Sequence, residues 1–262
     1  MDRKIHRSSD DATKPALYTS IILFALGGRM NNPAIEKSSI WRRLAFVSVL
    51  LLLLIGPNFG PIPTLLQEHL SMEASVFVLL TSFWIGFCII LAVILRMNGR
   101  VSLRELLRSV GLGAPSRPSA NITGLVLGLV WGVMFLTSIF QFDPEADIAQ
   151  ISVLRVLTAL IAAGGALLED FVTRGFVMNQ MQRISVPKWA QVLISALLFA
   201  LYHTIWGFNI ISFIFSVVYG LLLGGLYLWG KRSLTPVILG HSLAVLISEP
   251  FATMMIFMAA SM

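Results

Sequence analysis

The stretch Val76-Phe-Val-Leu-Leu-Thr-Ser-Phe-Trp-Ile-Gly-Phe-Cys-Ile-Ile-Leu-Ala-Val-Ile-Leu-Arg96 carries no charge before its last residue. A helix rises about 1.5 Å per residue, so about 20 apolar residues cross a hydrocarbon layer about 30 Å thick. The stretch meets that length and predicts a membrane-spanning helix over 76–96. The same reading, carried outward, gives further candidate spans at 44–66, 121–141, 151–182, 189–206, 209–229 and 233–248, with a short apolar tail at 250–262. The expected fold class is all-α: a polytopic membrane helical bundle of about seven or eight transmembrane helices.

Composition agrees with that reading. Of 262 residues, 56% are hydrophobic and 12% charged, against about 45–50% apolar and about 25% charged in soluble domains. The expected division is a polar, basic N-terminal cytoplasmic segment over 1–40 and a membrane domain over 41–262. In the first span, Gly56, Pro57, Gly60, Pro61 and Pro63 predict a kinked or unwound outer end. The span at 151–182 is too long to stand perpendicular and is expected to tilt or protrude. The single cysteine, Cys88, excludes an intrachain disulfide and a thiolate metal cluster, and reads as a small core residue.

The net charge is +6 and the pI about 9.9, but the basic residues stand at the ends of apolar segments, so they act as topology signals and nucleic acid is not an expected partner. Alternating the loops puts every Lys and Arg on the cytoplasmic side except Arg155 and Arg174, which lie within a helix. Glu68, Glu73, Asp143, Glu145, Asp147 and Glu249 fall outside. The expected topology is N-terminus in. The apolar run Ala16–Leu26 reads as an interfacial segment rather than a signal peptide, because more positive charge follows it. Met30 is a second candidate start. The basic loop 96–117 is expected to contact anionic lipid headgroups. Gly124, Gly128 and Gly132, and again Gly220 and Gly224, recur four apart and predict close helix packing.

Ionisable groups within apolar spans are costly and mark function by default. The fourth span reads Glu169-Asp170-Phe171-Val172-Thr173-Arg174-Gly175-Phe176. Asp170 and Arg174 are spaced to pair along one helix face, which leaves Glu169 over. His203 follows Phe199-Ala200-Leu201-Tyr202 in the fifth span, and His241 stands in the seventh. At about 1.5 Å per residue, Glu169 and His203 lie about 21–23 Å from the cytoplasmic ends of their helices, and His241 about 14 Å. The three can therefore converge. A Glu and a His sharing a site can hold and activate water, and a second His can stabilise an oxyanion, which is equipment for amide hydrolysis. As ligands, the same Glu169, His203 and His241 would also suit a divalent metal such as zinc in a hydrolase or transporter.

Glu169-Asp170-x-x-x-Arg174, Phe199-x-x-x-His203 and His241-x-x-x-Val245 resemble the motifs of the CAAX protease and bacteriocin-processing (CPBP, or Abi) family of intramembrane endopeptidases. That family's pattern is Glu-Glu-x-x-x-Arg, Phe-x-x-x-His and His-x-x-x-Asn. Gly111-Leu112-Gly113, Arg174-Gly175-Phe176 and Arg232-Ser233-Leu234-x-Pro236 extend the similarity, which covers about 100–246. The resemblance implies that Glu169 and His203 activate the attacking water, that His241 stabilises the oxyanion and that Arg174 fixes the carboxylates. It implies a peptide or membrane-protein substrate and a multi-pass protein of a bacterial plasma membrane. Members of the family are discussed both as metal-dependent and as metal-free; the expected chemistry is metal-free, with no cofactor required and a divalent metal such as zinc left open.

Two positions depart from the pattern. Asp170 is one methylene shorter than the motif Glu and can still hold Arg174. Val245 replaces the motif Asn and cannot donate the second oxyanion hydrogen bond, a loss that typically costs about 10²–10³ in rate. Ser242 and Asn209 are the polar residues considered as substitutes. The alternative to a protease is a catalytically impaired family member acting as a membrane scaffold or regulator.

Overall fold

The computed structural model describes residues 33–98, 102–141, 144–149, 151–207 and 209–260. The expected interfacial segment at Ala16–Leu26 and the candidate start at Met30 lie outside the described residues. Arg42–Met262 forms one compact unit, separate from Met1–Trp41, and the site lies within the former.

The described residues contain helices and no strand. In order these are α1 (Pro33–Leu50), α2 (Pro61–Gln67), α3 (Met72–Met97), α4 (Leu103–Ser109), α5 (Pro118–Ser138), α6 (Val153–Asp170), α7 (Met178–Arg183), α8 (Lys188–Thr204), α9 (Ile210–Trp229), α10 (Thr235–Ser248) and α11 (Phe251–Ala260). Five continuous helical stretches are long and apolar enough to cross a membrane: Glu36–Gln67, Met72–Met97, Pro118–Ser138, Val153–Arg183 and Ile210–Trp229. A sixth is possible if α10 and α11, bent by 70° at Glu249–Pro250, count as one span. The chain is a multi-pass helical membrane bundle. Each expected segment coincides with a helix, but α8 has 17 residues and α10 has 14, so these two are shorter than the expected spans. Ile205–Gly207 turns away at the end of α8, and Pro250, which lacks an N–H, follows the end of α10.

The expected break in the first span is present. α1 runs through a π-turn at Leu51–Ile55 and a 3-10 turn at Gly56–Phe59 before α2 begins at Pro61. Backbone freed inside a membrane needs new partners, and it finds them. Asn58 donates through its side-chain nitrogen to the Ile55 carbonyl at 2.9 Å and accepts from the Ser82 hydroxyl, while Trp206 Nε1 donates to the Leu52 carbonyl at 2.7 Å. This irregular segment sets the Phe59 ring against the His203 ring, with centroids 4.4 Å apart.

The glycine rows pack as their spacing predicts. A β-carbon on Gly124 or Gly128 would run into the carbonyl oxygen of Pro236 or Gly240, and one on Gly132 would meet Ala244 at 2.9 Å. α5 and α10 therefore touch backbone to backbone, which fixes the helix carrying His241. Gly220 of α9 meets Ala196 of α8 in the same manner, at 2.8 Å. At one end of the bundle, Gly111 has a φ of +92° and leaves no room for a side chain beside the Arg232 carbonyl. Its own carbonyl accepts from Leu234 N at 3.0 Å, and Ser233 Oγ donates to the Ala114 carbonyl at 2.8 Å. The Gly-Leu-Gly and Arg-Ser-Leu-x-Pro stretches are thus one clasp at the start of α10.

Two further sequence readings differ from the structure. Cys88 is exposed on α3 rather than a core residue, because the outward face of a membrane helix meets lipid and is as apolar as a core. Glu249, read as an outer-loop acid, is buried at the bend and accepts from Thr253 Oγ1 at 2.6 Å and Thr253 N at 3.2 Å. It caps α11, which explains an acid at that position. On the basic loop, α4 opens with a reciprocal Ser102–Glu105 capping box. The hydrogen bonds from the Ser102 backbone and hydroxyl hold the Glu105 carboxyl below its ordinary range.

Candidate active site

The fourth span changes from α-helix to π-helix at Phe171–Val177, directly after Glu169 and Asp170. π-turns cost regular hydrogen bonding and recur at functional sites. Here Thr173 Oγ1 donates back to the Glu169 carbonyl at 2.7 Å, and Ser195 of α8 donates to the Thr173 carbonyl at 2.8 Å. The wide turn is therefore tied to α8.

Asp170 and Arg174 are both fully buried, with Arg174 Nη1 3.1 Å from Asp170 Oδ1. The pairing read from their spacing is present. Arg174 Nη1 also donates to Thr173 Oγ1 at 2.7 Å, and its guanidinium lies 4.3 Å from the centre of the Phe199 ring. The second Asp170 oxygen, Oδ2, stands 3.1 Å from His241 Nδ1. A carboxylate accepts, so that ring nitrogen carries a proton, and His241 Nε2 is left facing the site.

Glu169, the acid left over by the Asp170–Arg174 pair, has its own partners. The Tyr202 hydroxyl donates to Glu169 Oε2 at 2.9 Å, and His241 Nε2 lies 3.9 Å from the same oxygen. That second distance is a charge contact rather than a hydrogen bond. Glu169 and His241 are each 6% exposed, whereas Asp170 and Arg174 are at 0%. Asp170 and Arg174 are therefore the more deeply enclosed pair.

His203 is adjacent. Its Nδ1 is 2.7 Å from the Phe199 carbonyl, which can only accept, so Nδ1 carries the proton and Nε2 keeps a lone pair. No hydrogen bond joins His203 to Glu169 or His241 among the described residues. The links are Phe199, whose ring centre is 4.4 Å from that of His203 and 5.9 Å from that of His241, and Tyr202, whose ring centre is 4.3 Å from that of His203 and whose hydroxyl bonds Glu169. Arg174, Asp170 and His241 therefore form one bonded chain, Glu169 meets its His241 end through a charge contact, and His203 joins it through a shared aromatic wall. Val245 lies one turn from His241 and is half-buried.

No group of three His, Cys, Asp or Glu side chains is arranged to hold a metal ion among the described residues. Glu169, His203 and His241 thus do not stand together as a metal ligand set in this structure.

Sequence reasoning passed over Tyr202. It appeared only as a spacer inside Phe199-x-x-x-His203, although a Tyr in a membrane helix needs a partner for its hydroxyl. Its bond to a carboxylate is of the stronger kind, contributing about 1.5–3 kcal/mol. Tyr202→Phe is expected to lower the stability of the protein by an amount of that order, because it removes a partner from the buried Glu169 carboxylate; thermal unfolding in a fixed detergent checks it.

No curated protein and no solved structure matches the chain. A family model described as type II CAAX prenyl endopeptidase Rce1-like matches residues 150–247. Those residues run from the start of α6 to the end of α10 and include all three motifs. The stretch that holds the site is therefore similar to an intramembrane CAAX-type endopeptidase family, as the resemblance of its motifs implied.

Proposed function

We propose that the chain is an intramembrane endopeptidase that hydrolyses a peptide bond of a peptide or membrane-protein substrate. The observation that carries this reading is the buried cluster in which Glu169 is held by Tyr202 and faces His241, while Asp170 and Arg174 hold His241 from behind. Water bridges the free Glu169 oxygen, Oε1, and the lone pair on His203 Nε2. Glu169 takes one water proton as the water oxygen attacks the scissile carbonyl carbon. His241, protonated on both nitrogens and balanced by Asp170, donates through Nε2 to the developing oxyanion. Collapse breaks the C–N bond, and Glu169 returns its proton to the leaving amine. Arg174 keeps Asp170 in place and does not touch substrate.

The same proposal puts the N-terminus in the cytoplasm, supported by the one-sided placement of Lys and Arg along the sequence. It gives substrate selection to the helical cavity and the loops, with the bilayer as the second partner.

A second reading is a catalytically silent relative that binds and regulates a membrane partner, and Val245 favours it. The two are separated by incubating detergent-purified wild type and His203→Ala with a quenched peptide library and candidate membrane substrates. Cleavage by wild type that His203→Ala abolishes supports the protease. A folded wild type that cleaves nothing, but whose biological effect survives Glu169→Ala, supports the silent relative.

A further inference from the structure

Val245 leaves His241 without the second donor that tetrahedral intermediates ordinarily receive. Of the polar residues considered as substitutes, Ser242 has its hydroxyl proton committed and Asn209 is fixed as the cap of α9. Ser242 Oγ donates to the Ala163 carbonyl at 3.0 Å, and the Asn209 side-chain oxygen caps α9 by accepting from Ile211 N and Ser212 N at 2.9 and 3.1 Å.

Tyr219, at the middle of α9, is placed differently. Its ring meets the His241 ring edge-on at 5.4 Å and lies flat on Trp131 at 4.5 Å. The residue is 4% exposed, yet its hydroxyl has no hydrogen-bond partner. The Tyr219 ring also meets the Phe199 ring edge-on at 6.3 Å, the same ring that lies between His203 and His241. An unpaired buried donor is destabilising, so each one in a native structure calls for an explanation, and a catalytic role is among the recurring ones. Stacking on Trp131 and the close packing of Gly220 on Ala196 hold the ring before any substrate arrives.

We infer that Tyr219 donates the second hydrogen bond to the carbonyl oxygen of the scissile bond, in the role that Val245 cannot fill. The inference rests on the protease reading. As the water oxygen bonds to the carbonyl carbon, the carbonyl π electrons move onto oxygen, and that oxyanion accepts from His241 Nε2–H and from the Tyr219 hydroxyl. Tyr219 keeps its proton throughout; the proton that reaches the leaving amine comes from Glu169.

The test is kcat and KM for wild type, Tyr219→Phe, Val245→Asn and the double variant, all purified in detergent, on one cleaved peptide. Tyr219→Phe is expected to lower kcat by about 10²–10³-fold with KM nearly unchanged. Val245→Asn added to Tyr219→Phe should recover most of that loss, which a role in packing alone would not allow. Val245→Asn by itself should change kcat little, because the site already has two donors. The inference is overturned if Tyr219→Phe keeps wild-type kcat, if Val245→Asn does not rescue it, or if wild type is inert and only Val245→Asn cleaves. A folded wild type that cleaves nothing overturns the protease reading, and hydrolysis that persists in Glu169→Ala overturns its Glu169 chemistry, whereas a failure confined to Tyr219 leaves Glu169 dependence intact.

Discussion

Glu169→Gln is expected to lower peptide hydrolysis by about 10²–10⁴-fold, the range over which a positioned general base acts. The substitution keeps the shape of the side chain and an oxygen for the Tyr202 hydroxyl to donate to. What it removes is the group that takes a proton from water. The protein should therefore fold, unfold thermally near wild type, and bind substrate with a similar KM, so the loss should appear in kcat. Equal losses in kcat and stability would instead mean that Glu169 is a structural anion. Rate measurements paired with thermal unfolding of the same preparation separate the two.

Arg174→Ala is expected to act first on stability. Asp170 and Arg174 are both at 0% exposure, and removing one partner of a buried pair leaves the other charge uncompensated, at a cost of about 3–5 kcal/mol. Arg174 also bonds Thr173 in the π-turn and lies over Phe199, so its loss loosens the contact between the fourth span and α8. Thermal unfolding in a fixed detergent should show a large drop. Replacing both members, as Asp170→Leu with Arg174→Met, should recover part of the stability, because an apolar pair of similar volume fits such a site, with the remainder lost because His241 Nδ1 has no acceptor. Activity should not return, since His241 Nδ1 would then have no carboxylate to hold it. A stable but inactive double variant would separate the folding role of Arg174 from the chemistry in front of it.

Much of this architecture was legible in the sequence because the bilayer imposes a length. The uncharged run before Arg96 reads as a span without reference to any neighbour, and the Gly56–Pro63 breaks announce a bend. The four-residue spacing of Gly124, Gly128 and Gly132 signalled a backbone contact, although it could not say that α10 was the partner. The shortness of α8 was hidden, because Ile205 and Trp206 are apolar and continue the hydropathy signal past the end of the helix. Trp206 leaves the helix to donate to the Leu52 carbonyl, a long-range bond that no local pattern encodes. Glu249 looked like a loop acid for a related reason: its value lies in capping a helix after the bend.

At the site, charge was the readable signal. Glu169, Asp170, Arg174, His203 and His241 stand out against apolar sequence, and the spacing of Asp170 and Arg174 gave their pairing. Tyr202 and Tyr219 did not stand out, since tyrosine is mostly an apolar body and its hydroxyl acquires meaning only from what lies beside it. In one case that is a carboxylate at 2.9 Å, and in the other the edge of a histidine ring. Those partners come from helices distant in sequence.

The central claim is that water, activated at Glu169 and His203, cleaves a peptide bond. The most direct measurement is product mass spectrometry after the purified protein has been incubated with a cleaved peptide in ¹⁸O-labelled water. The account predicts one labelled oxygen in the new C-terminal carboxylate with wild type and no product with His203→Ala. Unchanged peptide in every preparation that is shown to be folded, or product formed equally by His203→Ala, would contradict it.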